Sequence, residues 1–156
     1  MEHILNVPAD NEKLKELRAG DSVLLSGSAV YYVGPTPSPE SCCIGAAGPT
    51  TSGRMDAYSP RLLDAGLKIM IGKGGRSEAV KDAMRRNGAV YLAAIGGAGA
   101  LMAASIEQAE LVCWEDLGCE AVRKLTVRDM PLTVAIDSEG RDLYETGPEA
   151  YLSMGE

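Results

Sequence analysis

Three consecutive hydroxyl residues, Thr50, Thr51 and Ser52, sit between Pro49 and Gly53 and are followed by Arg54. Gly48 and Gly53 let the backbone turn tightly and present its N–H groups. The hydroxyls can donate hydrogen bonds to an anion, and an arginine fork can grip a carboxylate through two parallel bonds. The stretch Gly48–Asp56 therefore reads either as a carboxylate or phosphate cradle or as a polar turn with a solvated arginine.

A second cluster, Ile71-Gly72-Lys73-Gly74-Gly75-Arg76-Ser77, lies at the carboxyl end of a predicted strand and just before a predicted helix. Ligands of open α/β sheets gather at that edge, and helix N-termini favour anions. Lys73 is there either a positive group or proton donor for a ligand, or a surface lysine in a Gly-rich turn. The spacing is not that of a Walker A loop. Gly96-Gly97-Ala98-Gly99 also misses the dinucleotide spacing and reads as close helix–sheet packing.

The remaining reactive side chains point elsewhere. His3, the single histidine, lies in an expected N-terminal tail, which disfavours a Ser–His–Asp or Cys–His arrangement within the chain. Cys42 and Cys43 are adjacent, and Cys113 and Cys119 are too widely spaced for a C-x-x-C clip. All four read as free thiols filling small apolar positions, and no metal site is assigned to this chain. Glu115-Asp116 reads as an interface or capping pair.

These residues need a scaffold. The chain has 156 residues, about one domain (1–156), and 46% of them are apolar, enough for a sizeable core. Phe is absent, so Leu, Val, Ile, Ala and Met must fill that core. A net charge of −7 disfavours a nucleic-acid or anionic-membrane surface, yet leaves room for a small anion in a local basic pocket. The N-terminus lacks the pattern of a signal peptide, and no apolar run nears the ~18 residues of a membrane span. The expected location is cytoplasmic.

The sequence predicts a helix over 10–20 capped by Asp10. Short strands follow at Val23–Leu25 and Val30–Val33, separated by Ser26-Gly27-Ser28, and then a Pro-rich loop from Gly34 to Glu40. Ser59-Pro60 opens a helix stopped near Gly66, and Ser77-Glu78 opens another ending at Asn87-Gly88. Between and after them, strands are predicted at Lys68–Gly72 and Val90–Ile95, with a helix from near Ala98. Further strands are predicted at Leu111–Trp114, Glu120–Val127 and Leu132–Ile136, and a last short strand after a turn at Ser138–Arg141. The alternation argues for an α/β domain with some parallel sheet.

In their order, Tyr31-Tyr32-Val33-Gly34-Pro35-Thr36-Pro37, Gly48–Asp56, Ile71-Gly72-Lys73-Gly74, Gly96–Leu101 and Glu115–Ala121 resemble the β subunit of class I fumarate hydratase. The β subunit of L-tartrate dehydratase and the C-terminal domain of single-chain class I fumarases share the pattern, from about Gly20 to Tyr144. The resemblance implies a swivelling β/β/α domain as in the class I fumarase C-terminal domain. It implies a larger α subunit as partner, commonly as α2β2, whose cysteines hold a [4Fe–4S] cluster not bound by this chain. It implies reversible hydration of fumarate to L-malate, with Thr50 and Lys73 as catalytic residues and Thr50, Thr51, Ser52, Arg54 and Lys73 binding the dicarboxylate. Without its partner the chain is a candidate for self-association.

One family feature is missing. An Ala-Arg-Asp-x-Ala-His-Lys-Arg segment normally follows the first strand, and here Leu24-Leu25-Ser26-Gly27 runs almost directly into Val30-Tyr31-Tyr32. Neither Arg18 nor a nearby residue takes its place. Three readings compete: the partner supplies the missing groups, the substrate is another hydroxy acid such as tartrate or a methylated malate (mesaconate as its dehydrated form), or the chain is a non-catalytic relative.

Overall fold

The structure, a computed structural model, describes residues 2–6, 11–26 and 29–153. Among them the order is β1 (Glu2–Asn6), α1 (Asn11–Glu16), β2 (Ser22–Ser26), β3 (Val30–Tyr31), a 3₁₀ turn (Ser52–Met55) and α2 (Ser59–Asp64). Then come β4 (Ile69–Gly72), α3 (Glu78–Asn87), β5 (Val90–Ala93), α4 (Gly99–Ala104), β6 (Ile106–Cys113), a second 3₁₀ segment (Glu115–Glu120), β7 (Val122–Val127), β8 (Met130–Ile136) and α5 (Leu143–Ser153). Six strands form one mixed sheet in the order β1-β2-β8-β5-β4-β3, and β6 and β7 form a separate antiparallel hairpin. The α/β expectation, with parallel pairing of β3, β4 and β5, is met.

The central strands are apolar at successive positions because both sheet faces are covered. Successive side chains of a strand point to opposite faces. Ile69, Ile71, Val90, Leu92, Leu132 and Val134 therefore join one core, with Leu14, Leu17 and Met102. Met70, Tyr91, Ala135 and Ile136 join a second, with Leu63, Val80 and Met84 from α2 and α3. Helix α3 carries Glu78 in its first turn and Arg85 and Arg86 in its last, matching the helix dipole. It ends at Gly88, whose left-handed φ of 59° suits glycine.

Several expected boundaries change. The N-terminal residues form β1, paired in parallel with β2, instead of a tail containing His3. That pairing is non-local and leaves little trace in a five-residue stretch. Helix α1 is shorter than expected, and its proposed cap Asp10, like Gly27 and Ser28 of the expected turn, lies outside the described residues. Strand β6 starts earlier than Leu111, and Trp114 leaves it in a left-handed conformation with φ 60°. Glu120 belongs to the 3₁₀ segment, with β7 beginning at Val122. The expected last strand is helix α5: Asp142 accepts the Tyr144 N–H at 2.9 Å and starts the helix despite Gly147-Pro148.

Candidate active site

The parallel strands β3, β4 and β5 open their carboxyl ends at one sheet edge, and the long β3–β4 connection returns Gly48–Asp56 to it. Backbone bonds fix the return. Thr50 N–H donates to the Tyr32 carbonyl at 2.9 Å, and Ser52 N–H donates to the Lys73 carbonyl at 3.1 Å. Val33 bridges Pro49 antiparallel, and Thr51 bridges Lys73 in parallel. The hydroxyl run is thus laid as an extra piece of strand across the ends of β3 and β4.

Thr50, Thr51, Arg54 and Lys73 line one cleft of about 1010 Å³, to which the hairpin side adds Trp114, Leu117, Glu120, Arg123 and Lys124. Thr51, Arg54 and Lys73 are exposed there and Thr50 is half-buried. Ser52 does not line the cleft: it is fully buried, with its Oγ 2.9 Å from the Tyr91 Oη. Its hydroxyl occupies the space above Gly72, where an added Cβ would stand 1.8 Å from the Ser52 Oγ. Ser52 opens the 3₁₀ turn, where the backbone leaves the extended path of Thr50 and Thr51 and carries its side chain inward.

Asp56 closes the motif from below. Its Oδ1 accepts the Arg76 Nε–H at 2.7 Å and its Oδ2 accepts the Ser77 N–H at 2.6 Å. Arg76 is buried, donates from Nη2 to the Ser59 Oγ at 2.7 Å, and lies 5.3 Å and 5.1 Å from the ring centroids of Tyr32 and Tyr91. The arginine thus combines an ion pair with two cation–π contacts. Tyr91 Oη also donates to the Gly74 carbonyl at 3.1 Å, while the Gly74 N–H donates to Tyr144 Oη at 3.2 Å. The loop bearing Lys73 is therefore held on both sides of Gly74. Burial pushes the Tyr91 phenol up to about 12, with the Ser52 hydrogen bond acting the other way. Burial likewise raises the Tyr31 phenol, which donates to the Ala47 carbonyl at 2.7 Å.

Arg76, Tyr32, Tyr91 and Ser59 were assigned no role in the site from the sequence. Arg76 belonged to the Gly-rich segment, but its burial depends on aromatic neighbours distant in sequence. Gly99 does serve close packing, although its neighbour is the motif loop: Ala47 N–H donates to the Gly99 carbonyl at 2.9 Å, and a Cβ on Gly99 would lie 3.1 Å from the Gly48 nitrogen. Glu115 and Asp116 are exposed in the second 3₁₀ segment and do not line the cleft. Cys43 and Cys119 line an adjoining cavity of about 250 Å³ that shares Pro35, Ile44, Cys119 and Arg123 with the cleft, and Cys43 Sγ lies 3.3 Å from the Ile106 carbonyl. Among the described residues, no three of His, Cys, Asp and Glu come together as potential metal ligands.

These features define a mixed α/β domain with hydroxyls and cations gathered in a cleft at the carboxyl edge of its parallel strands. The chain belongs to the fumarase C-terminus family, whose model matches residues 5–147. It is 42% identical over 118 residues to the aerobic class I fumarate hydratase of Escherichia coli K12, covering 74% of this chain and 22% of that protein. It is 39% identical over 137 residues to fumarate hydratase 2 of Leishmania major, covering 85% of this chain and 24% of that protein. A protein of Methanocaldococcus jannaschii, provisionally named L(+)-tartrate dehydratase subunit beta, is 36% identical over 127 residues, covering 78% of this chain and 65% of that one. The chain thus spans about a quarter of the fumarate hydratases it matches.

Proposed function

We propose that residues 1–156 form the β-subunit domain of a hydro-lyase that interconverts fumarate and L-malate, and that this domain supplies the dicarboxylate grip. The observation that carries the reading is the gathering of Thr50, Thr51, Arg54 and Lys73 in one cleft, with Thr51 and Lys73 bridged through their backbones. Arg54 holds a substrate carboxylate through its planar fork. Lys73 stabilises the charge that this carboxylate gains as a proton leaves the neighbouring carbon. Thr50 orients the carboxylate or assists the proton transfer. Thr51 adds a hydroxyl donor beside them. Ser52, buried against Tyr91, supports the others from beneath.

In this reading the mixed α/β fold is the swivelling β/β/α domain of the class I fumarase C-terminus. The described residues of this chain do not fit a [4Fe–4S] cluster of its own, and the reading assigns that cluster to a separate α subunit, in an α2β2 assembly. No described helix is long and apolar enough to cross a membrane. The reading places the enzyme in the cytoplasm and takes self-association as the expected behaviour of the isolated chain.

L-tartrate dehydration is the second reading, supported by the relative that bears that name, of which the chain covers 65%. Anaerobic co-expression with the α subunit, followed by assays on fumarate, tartrate and mesaconate, separates the two. In the assembled enzyme, Arg54→Ala is expected to lower kcat/KM at least about 100-fold, or ~3 kcal/mol of transition-state stabilisation. Near-wild-type kinetics in that variant would remove Arg54 from the grip.

A further inference from the structure

The chain contains nine arginines, and six of them pair with carboxylates: Arg18, Arg76, Arg85, Arg86, Arg128 and Arg141. Among the described residues the other three, Arg54, Arg61 and Arg123, have no carboxylate partner, and Arg54 and Arg123 both line the cleft beside Lys73. In a chain of net charge −7, Arg54, Lys73 and Arg123 thus share one cleft without a carboxylate ion pair among the described residues, although Glu120 also borders it.

Arg123 reaches the cleft from a different element than Arg54 and Lys73. It lies on β7, where Leu125 and Val127 pack inward against the core. Strand alternation puts Arg123 on that same face; Lys124 also borders the cleft, with its Nζ 3.9 Å from Glu110. The Arg123 guanidinium donates from Nη2 to the Gly118 carbonyl at 3.2 Å. A guanidinium has five N–H donors, so most of the fork remains available.

We infer that Arg123 is a specificity-determining residue that receives the second carboxylate of a substrate whose first is held by Arg54 and Lys73. The inference rests on the carboxylate reading of the cleft and adds its selectivity. A monocarboxylate satisfies Arg54 and Lys73 and leaves Arg123 to solvent. A dicarboxylate forms a charge-assisted bond at each end, and the bond to Arg123 is the increment that separates the two. This arginine comes from the hairpin, far along the chain from the hydroxyl motif.

The test uses the full chain and two acids of equal carbon number, succinate and butyrate, titrated into the protein and followed by two-dimensional amide NMR. The amide spectrum also reports whether each variant is folded. Wild type is expected to bind succinate more tightly than butyrate. Arg123→Gln is expected to raise the Kd for succinate about tenfold and leave that for butyrate unchanged, because tenfold corresponds to one modest charged contact. Arg54→Gln is expected to weaken both, and Arg123→Lys to restore part of the succinate preference. The inference is overturned if Arg123→Gln binds succinate as wild type does, if it loses both acids equally, or if wild type does not discriminate between them. Those results leave the carboxylate cleft standing. If wild type binds neither acid, the carboxylate reading itself fails and the inference falls with it.

Discussion

Arg54 and Asp56 stand two residues apart in one motif and do different work. Arg54 is exposed in the cleft, whereas Asp56 turns inward to the buried Arg76. The aspartate therefore acts as a positioning residue, tying the hydroxyl run to the start of α3. Gly72 has an equally specific role, since Ser52 fills the space its side chain would need. Gly72→Ala is expected to destabilise the protein by about 1–3 kcal/mol, the usual cost of overpacking, and, on the proposed function, to weaken carboxylate binding by displacing Ser52 and its neighbour Thr51. Adding Ser52→Gly should recover part of that stability, because it removes the atom in the way. Urea unfolding of the single and double variants checks this; a Gly72→Ala protein as stable as wild type would contradict the packing. The identities of these residues were legible in the sequence, but the division into cleft-facing and inward-facing was not. It depends on which strand ends the segment joins.

Elements α3 and α5 are joined by Lys81. Its Nζ lies 2.6 Å from Glu78 Oε1, 2.6 Å from Glu145 Oε1 and 3.5 Å from Asp142 Oδ2. The Glu145 hydrogen bond, then that of Glu78, raises the Lys81 pKa and keeps the ammonium charged. Both glutamates are largely exposed, so their pairing with Lys81 contributes little net stability. Asp142 is 4% exposed, and loss of the cation would leave it in the interior without its ion pair. Lys81→Met is expected to cost roughly 2–3 kcal/mol, chiefly through Asp142, and to loosen α5. Hydrogen exchange should then speed up at the α5 amides and at Gly74, whose N–H is held by Tyr144. Unchanged exchange in α5 would show that Lys81 does not anchor it. The helix itself was not legible because Gly147-Pro148 reads as a break, whereas the cap at Asp142 and the ion pair with α3 hold the segment helical.

For the whole molecule, the buried Tyr91 and the half-buried Tyr31 make stability sensitive to alkali. An unfolded chain releases a tyrosine proton near its ordinary value of about 10, whereas folded Tyr91 keeps it up to about 12. The folded state therefore binds more protons in that interval, and stability falls as pH rises through it. Below pH ~10 the contribution is fully present. Tyr31 acts in the same direction. Urea midpoints measured at about pH 8 and about pH 11 should differ by a few kcal/mol in unfolding free energy, and Tyr91→Phe should reduce that difference. A Tyr91→Phe protein with the full alkaline loss would assign the effect elsewhere. The sheet makes these phenols sensitive: its central strands are covered on both faces, so Tyr91 is wholly enclosed.

By itself the sequence determined which hydroxyls and cations are available to a site and the strand and helix pattern of the middle of the chain, and the order of its motifs carried the resemblance to the fumarase C-terminus. The residue inventory and the element pattern are written in local features: glycines flanking hydroxyls, apolar runs of strand length, and helix caps at Ser59-Pro60 and Asn87-Gly88. Tertiary structure alone decided that Thr50 and Thr51 face the cleft while Ser52 does not. It also decided that Asp56 binds Arg76, that the N-terminal residues pair with β2, and that Arg123 shares a cleft with Arg54. Each of these depends on backbone bonds or packing between residues far apart in the chain. Spacing cannot encode such contacts, because they are set by which strand ends the sheet brings side by side.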